Sequence, residues 1–278
     1  MSKAYLTPAE IAESTINIGI KKANNSTINM LILGIFAGLY ISFGGQADIT
    51  IMQTFSKIDT GLAKFLGAAV FPIGLFLVLV AGAELFTGNC LMTMALSDKK
   101  ITLKQMLRNW VIVYIGNFIG AVILAAALVY VGAYKAGSPM TETAFSIAAG
   151  KMSASVPQII VKAILCNILV CLAVWMSFGA QDIASKAIAI WFPVMTFVMV
   201  GFEHSIANMF FLPLAKFAGY DISWGQMILH NIIPATIGNI IGGAIIVALL
   251  YYVVYIVPQR KTTTEANTDK KASTAAMK

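Results

Sequence analysis

The chemically most distinctive stretch of this sequence lies inside a long apolar run. Residues 201–208 read Gly-Phe-Glu-His-Ser-Ile-Ala-Asn, so an acid, an imidazole and a carboxamide interrupt the apolar residues of 187–214. An ionisable side chain inside an apolar span is costly unless it faces a cavity or a partner. We therefore interpret residues 201–208 as a candidate functional site.

A second copy of this pattern lies upstream. Residues 82–89 read Gly-Ala-Glu-Leu-Phe-Thr-Gly-Asn, and both stretches have the form Gly-x-Glu-x-x-x-x-Asn. Two further matches occur in the same order, residues 42–46 with 177–181 and residues 116–120 with 238–242. Three matches in one order indicate that the chain is internally duplicated.

His204 and Thr87 are the two side chains of these stretches best suited to contact a solute. Histidine titrates close to neutral pH, so His204 can donate a hydrogen bond to an anion or pass a proton to it. Thr87 offers a hydroxyl, which donates to an anion without the cost of a charge. The structural alternatives are a neutral histidine tied to backbone carbonyls and a threonine that caps a helix.

The acids and amides of the two stretches occupy equivalent positions, Glu84 with Glu203 and Asn89 with Asn208. A role that both copies share is structural rather than catalytic. We expect the carboxylates to accept hydrogen bonds from backbone N–H groups that a broken helix leaves free, and the asparagines to serve in a similar way. Two glutamates that faced a pore would repel anions.

The composition identifies an integral membrane protein. Of 278 residues 59% are hydrophobic and 11% are charged, whereas charged residues make up about a quarter of a soluble domain. The apolar runs are long enough for membrane helices and too long for barrel strands. The formal charge of +7 fits the positive-inside rule better than a nucleic-acid partner. We read Cys90, Cys166 and Cys171 as small apolar residues, and we expect no metal or other cofactor.

The pattern of apolar runs predicts an all-α fold with six membrane spans. A capping box at Thr7 and Glu10 predicts a first helix to about Lys22. The predicted spans are about 29–45, 62–96, 106–134, 158–178, 185–217 and 225–257. The second run is too long for one straight crossing, so the second and fifth spans are expected to break at residues 82–89 and 201–208. The polar residues 258–278 are predicted to form a disordered cytoplasmic tail.

The duplication predicts an inverted repeat. Three spans in each copy, about 25–135 and about 158–257, give the copies opposite orientations within one channel domain, residues 1–257. Thirteen of the 19 Lys and Arg residues lie on the side of the two termini, which places both termini in the cytoplasm. The substrate path is expected to run between the two breaks.

Further candidates lie near the breaks. Lys151 is expected in a loop, where a cation at the mouth of a pore concentrates anions. Asn167 lies in the apolar interior of the fourth span. Apolar side chains beside the breaks either pack or form constrictions that gate by dewetting. These apolar candidates are Phe71, Leu75, Leu85, Phe86 and Phe197.

Residues 83–88 and 201–209, together with Cys166-Asn167, are similar to the formate/nitrite transporters, including their hydrosulfide-conducting branch. The resemblance covers about residues 5–255. It implies an aquaporin-like fold and a homopentamer with one pore in each protomer, in the inner membrane of a prokaryote. It also implies a central pore histidine at His204 with Thr87 as its partner, field-tuning roles for Lys151 and Asn167, and two apolar constrictions lined by Phe71, Leu75, Leu85 and Phe197.

The resemblance implies passage of formate, nitrite or hydrosulfide, each the conjugate base of a weak acid. A bare anion should not cross an apolar slit, because loss of its hydration is costly. A cation would draw in the anion, and a proton that arrives by way of His204 or water would neutralise it. Both proton donation and hydrogen bonding by His204 fit this scheme.

The main alternative to a channel is a proton-coupled carrier of the same anions. A neutral-solute pore would need paired Asn-Pro-Ala motifs, which are absent, and an ammonium channel would need a second facing histidine, whereas the other histidine, His230, lies near the start of span six. An enzyme would need a nucleophile and a base within reach, but adjacent residues such as His204 and Ser205 point apart on a helix.

Overall fold

The apolar stretches fold into helices in the computed structural model, which describes residue 3 and residues 5–260. The described helices are α1 (Pro8–Ala23), α2 (Thr27–Phe55), α3 (Thr60–Gly82), α4 (86–97), α5 (Leu103–Tyr130), α6 (Pro139–Ser153), α7 (Val156–Gly179), α8 (Ile183–Val200), α9 (Ser205–Phe217) and α10 (Trp224–Arg260). The only β-pairing in this part of the chain is an isolated bridge between Tyr5 and Ala180.

Six of these helices, α2, α3, α5, α7, α8 and α10, are long and apolar enough to cross a membrane. The second and fifth spans are each divided, since α3 is followed by α4 and α8 by α9 after a short extended segment. The chain is therefore a multi-pass membrane protein. The prediction of an all-α, six-span fold with two broken helices is confirmed.

Helix starts follow capping signals in the sequence. Thr7 and Glu10 form the predicted capping box of α1, and the Ser26 hydroxyl accepts the N–H of Asn29 at the start of α2. Such caps satisfy backbone N–H groups that lack partners within the helix. The helix boundaries therefore depend on short polar signals as well as on apolar length.

The structure differs from the prediction at two helices. The first span continues to Phe55, because the polar residues after Gly45 interrupt the apolar run without interrupting the helix, which packs along α3 and α5. Lys151 lies in the last turn of helix α6 rather than in a loop. Pro139 suits the first position of that helix and Ser138 caps it, so these residues start a helix instead of breaking one.

The predicted tail is described only at its start. Residues 258–260 continue helix α10, and Arg260 forms ion pairs with Glu13 and Asp98. Residues 261–278 lie outside the described part of the chain. The predicted disorder of 258–278 therefore fails for its first three residues.

The two halves of the chain share one order of helices. In each half a short helix precedes one unbroken span, one broken span and a second unbroken span, so α1 to α5 correspond to α6 to α10. Three spans in each half make the repeats inverted, as predicted, and bring the two breaks towards each other in an aquaporin-like arrangement. The short helices extend the duplication beyond the predicted repeat bounds.

Glycines bring the unbroken spans of each half close together. A Cβ on Gly120 of α5 would lie 2.0 Å from the carbonyl oxygen of Ile35 on α2, and a Cβ on Gly242 of α10 would lie 2.3 Å from that of Ile164 on α7. Membrane helices use small residues at four-residue spacing for such close approach. This packing positions Asn117 and Asn239, each one residue after a glycine, against the breaks.

Each break begins at a glycine whose backbone is left-handed. Gly82 has φ +98° and Gly201 has φ +78°. A Cβ at either position would meet no atom within 4 Å, so the backbone conformation, and not the available space, requires glycine. Leu85 and His204 are extended N-cap residues, after which α4 and α9 begin.

Candidate functional site

Asn117 and Asn239 hold the two breaks by the same hydrogen bonds. Oδ1 of Asn117 accepts the N–H of Phe86 at 3.0 Å, and its Nδ2 donates to the carbonyl oxygen of Glu84 at 2.9 Å. Oδ1 of Asn239 accepts the N–H of Ser205 at 2.9 Å, and its Nδ2 donates to the carbonyl oxygen of Glu203 at 3.0 Å. These amides replace the helical hydrogen bonds that each break removes.

A hydrogen-bonded ring surrounds the first break. Nζ of Lys22 lies 2.8 Å from Oε1 of Glu84. Nδ2 of Asn89 donates to Glu84 at 2.7 Å and to Oδ1 of Asn109 at 2.8 Å. Nδ2 of Asn109 donates in turn to the carbonyl oxygen of Lys22 at 3.5 Å, a long contact that closes the ring.

The second break carries the equivalent ring. Nζ of Lys151 lies 3.2 Å from Oε2 of Glu203. Nδ2 of Asn208 donates to Glu203 and to Oδ1 of Asn231, both at 2.6 Å. Nδ2 of Asn231 donates to the carbonyl oxygen of Lys151 at 3.2 Å. The two repeats thus share their polar side chains as well as their helices.

These rings correct the predicted partners of the glutamates. The side chains of Glu84 and Glu203 accept from asparagine amides and lysine ammonium groups, while the break N–H groups of Phe86 and Ser205 donate to asparagine oxygens. A carboxylate inside a membrane protein needs an opposite charge, and an amide can satisfy an N–H without one. The predicted structural role stays a prediction, but its partners were wrong.

Thr87 and His204 meet between the two rings. Oγ1 of Thr87 lies 2.8 Å from Nε2 of His204, and both residues are almost fully buried. Nδ1 of His204 accepts the N–H of Ala207 at 3.1 Å, so His204 caps helix α9. Because Nδ1 accepts, the neutral ring carries its hydrogen on Nε2 and donates it to Thr87. The hydroxyl hydrogen of Thr87 is then left for another acceptor.

Two cavities approach this pair from opposite sides. The first, which we call the α1 vestibule, has a volume of about 190 Å³ and is lined by Lys22, Leu75, Gly82, Leu85 and Asn89 among others. The second, the α6 vestibule, has a volume of about 160 Å³ and is lined by Asp48, Lys64, Phe71, Lys151, Phe197 and His204 among others. In the described structure each vestibule includes a ring lysine but neither glutamate.

The apolar candidates divide between the vestibules. Leu75 and Leu85 line the α1 vestibule, and Phe71 and Phe197 line the α6 vestibule. The rings of Phe71 and Phe197 meet edge to face at 5.9 Å, and Phe197 stacks on His204 at 5.8 Å. Together with Thr87 and His204, these four side chains are buried, and we call this group the apolar seal. Its closure of a pore stays a prediction.

Phe86 differs from the other four apolar candidates. Its ring packs against the rings of Trp110 and Tyr114, with centroids 5.8 and 4.9 Å away. It contributes to the lining of neither vestibule described above. The structure therefore places Phe86 in the packing behind Thr87, not beside Leu85 in the seal.

Asn167 lies behind the pair and not in a vestibule lining. Its Nδ2 donates to the carbonyl oxygens of Thr87 at 3.2 Å and of Asn239 at 2.6 Å. Its Oδ1 is buried without a hydrogen-bond partner among the described residues. Cys171 is also buried and donates from Sγ to the carbonyl oxygen of Thr87 at 3.4 Å. These contacts position the backbone of Thr87.

Sequence reasoning missed Lys22, Asn109 and Asn231 as members of the site. Lys22 and Lys151 each lie five residues before the first residue of the next span, Thr27 and Val156. That shared spacing is a signal that could have found Lys22 once Lys151 was chosen. Asn109 and Asn231 lie on the last span of each repeat. A polar residue inside an apolar run is the signal that could have found them.

The sequence and structure of the chain are similar to those of known proteins. The model of a protein family described as "Formate/nitrite transporter" matches residues 9–253. The chain belongs to the formate/nitrite transporter family. This is a family of transporters and channels and not of enzymes, and membership confirms the resemblance drawn from residues 83–88 and 201–209.

Three similar proteins illustrate the family. "Formate channel BtFdhC" of Bacillus thuringiensis is 41% identical over 87% of this chain and 92% of its own. "Probable formate transporter" of Methanothermobacter thermautotrophicus is 39% identical over 88% of this chain and 95% of its own. A solved structure described as "Pentameric formate channel with formate bound" is 32% identical, with a TM-score of 0.74 over 83% of this chain and 98% of that one.

The ring around the second break generates a test of stability. The side chains of Lys151 and Glu203 are 14% and 4% exposed, so removal of one leaves an unpaired charge in a poorly hydrated site. We expect Lys151→Met to lower the free energy of unfolding by about 3 kcal/mol, and Lys151→Met with Glu203→Gln to recover most of that loss. Denaturant unfolding in lipid–detergent micelles measures both.

The exposed pair Lys57 and Glu142 provides the matched control. Its side chains are 68% and 57% exposed, so Lys57→Met should change the free energy of unfolding by less than about 1 kcal/mol. If the double variant of Lys151 and Glu203 were as unstable as the single one, the charge pairing would not explain the effect.

Proposed function

We propose that this protein is a homopentameric channel that passes formate across the cell membrane of a prokaryote, with one pore in each protomer and both termini in the cytoplasm. Support for formate comes from relatives named as a formate channel and a probable formate transporter. Support for the pentamer comes from the similar solved structure, which is described as pentameric. Residues 5–257 would form one channel domain.

The observation that carries this proposal is the arrangement of charge along the path. Each vestibule contains a lysine, and the seal between the vestibules is buried, mostly apolar and holds the pair of Thr87 and His204. The positive potential of each lysine raises the local concentration of anions in its vestibule. A neutral seal excludes ions, since loss of hydration is costly for a charge.

Formate would cross this seal as the neutral acid. The anion enters a vestibule near Lys22 or Lys151 and reaches Thr87 and His204. Away from bulk water its charged form is disfavoured, so it takes up a proton. The hydroxyl of Thr87 donates to a formate oxygen, since the Nε2 hydrogen of His204 occupies the Thr87 oxygen. The acid then passes the apolar side chains and loses its proton on the other side.

The cap of helix α9 favours a hydrogen-bonding role for His204. A proton added at Nδ1 would face the N–H of Ala207, which Nδ1 accepts at 3.1 Å. Protonation of the ring would therefore break the cap, at a cost of about 1 kcal/mol or more. The proton then comes from the solution by way of water in the vestibules, and His204 orients Thr87.

The first test is flux into liposomes that contain the purified protein. Formate, nitrite and hydrosulfide are compared side by side, with Thr87→Tyr as a blocked pore. We expect formate to enter fastest, because formate is the solute that the names of the relatives share. Thr87→Tyr should be silent, because its ring would fill a site that is already fully buried.

Thr60→Tyr is the matched control for that experiment. Thr60 is exposed at the start of α3, so the same change there should leave formate flux unaltered. Formate flux equal to that of empty liposomes would contradict the proposal. Faster entry of nitrite or hydrosulfide would support the proposed pore but would change the proposed substrate.

The role of His204 is tested by two replacements. In His204→Asn the side-chain oxygen can still accept the N–H of Ala207, as asparagine does at helix starts, and its N–H can still donate. We expect formate flux within about threefold of the original for Asn. His204→Leu leaves Thr87 and Ala207 without a partner and should lower flux by about 10- to 100-fold.

His230 supplies the control for this pair of variants. It bonds to the carbonyl oxygen of Ala154 outside both vestibules, so His230→Asn should conduct normally. If His204→Asn assembles normally and is as inactive as His204→Leu, a titrating ring is required at this position. The hydrogen-bonding role would then be wrong.

A further inference from the structure

Asp48 is a buried acid that the mechanism above does not use. It lies within span α2, is 5% exposed, and lines the α6 vestibule with Phe71, Lys151 and His204. Among the described residues its Oδ1 has no hydrogen-bond partner. An acid at this place is unexpected in a path for anions, because its ionised form would repel them.

Space for the carboxyl group comes from the neighbouring helix. A Cβ on Gly67 of α3 would lie 2.1 Å from Oδ1 of Asp48, so only glycine leaves room there. The carboxyl group therefore packs against the backbone of α3, where no side chain can bond to it. This contact explains why Oδ1 is buried and unpartnered.

The titratable groups around Asp48 do not neutralise it directly. Lys64 of α3, Lys151 of α6 and His204 line the same vestibule. Lys151 is bound to Glu203 at 3.2 Å, and His204 is bound to Thr87 and Ala207. In the described part of the chain neither lysine forms an ion pair with Asp48. A buried carboxyl group without such a partner favours its neutral form.

We propose that Asp48 is a proton-binding residue that controls the entry of a small monocarboxylate from the α6 side. In its neutral form the carboxyl group donates a hydrogen bond to the incoming anion. In its ionised form it opposes the field of Lys151 and repels the anion. The part of this inference that concerns formate rests on the proposed function.

The test compares formate exchange by the original protein and by Asp48→Asn in liposomes with the same pH on both sides. At each pH the rate of the variant is divided by that of the original protein, which cancels the change in protonation of formate itself. Asparagine stays neutral at every pH. We expect a ratio near one in acid that rises about 3- to 10-fold as the pH increases and Asp48 ionises.

Asp59→Asn is the matched control, with the same change of charge at the N-cap of α3. Asp59 is exposed and caps α3 through the N–H of Leu62, a role that asparagine also fills. Its ratio should stay near one at every pH. A ratio for Asp48→Asn that does not change with pH would overturn the proposal, whether that ratio is one or larger.

Infrared spectroscopy of the full chain detects protonation of the Asp48 carboxyl group without a transport measurement. A carbonyl band of a protonated acid should disappear from the original protein as the pH rises, and it should be missing in Asp48→Asn or, if that variant does not assemble, in Asp48→Ser. A carboxylate at every pH would overturn the proposal. If the original protein passes no formate, the proposed function fails, while the infrared titration still decides whether Asp48 binds a proton.

Discussion

The structure depends on the need to satisfy the backbone where two helices break inside a membrane. The hydrocarbon of a membrane offers no partner for free N–H and C=O groups, so protein groups must bond to them. Asn117 and Asn239 supply these bonds with the same geometry in both repeats. The glycines beside them bring the unbroken spans of each half close enough for each amide to reach its break. The close packing of the unbroken helices is therefore needed to stabilise the broken ones.

Under the proposed function, charge is arranged around this frame so that anions are attracted and the seal stays neutral. Each glutamate forms an ion pair with the lysine of its ring and is further fixed by an asparagine. Each lysine still lines a vestibule. In the proposed mechanism only uncharged groups meet between the rings, because protonation of His204 at Nδ1 would break the cap of α9. The duplication therefore builds two similar entrances around one asymmetric centre, with Thr87 on one side and His204 on the other.

Much of this could be predicted from the sequence, because its signals are local. Apolar length predicts the spans, and repeated Gly-x-Glu-x-x-x-x-Asn motifs predict the two breaks. The lysine partners of Glu84 and Glu203 could not be predicted, because Lys22 and Lys151 come from helices that are distant in the sequence. The asparagine partners, Asn89 and Asn208, lie only five residues away, but an asparagine amide can bond to many kinds of group. Helix α6 was missed because Pro139 and Gly150 suggest a loop, whereas a proline at the first position starts a helix. The sequence predicts Phe86 in the pore because Leu85 and Thr87 flank it, whereas its ring packs against Trp110 and Tyr114 of α5.

The central claim is that the transported species is neutral when it crosses the seal. The most direct test applies a membrane voltage to liposomes that contain the protein, and measures formate entry together with the internal pH. The account predicts that the voltage leaves the rate of formate entry unchanged and that a proton accompanies each formate. Entry that follows the voltage without acidification would show that the bare anion crosses between Thr87 and His204, and would contradict the account.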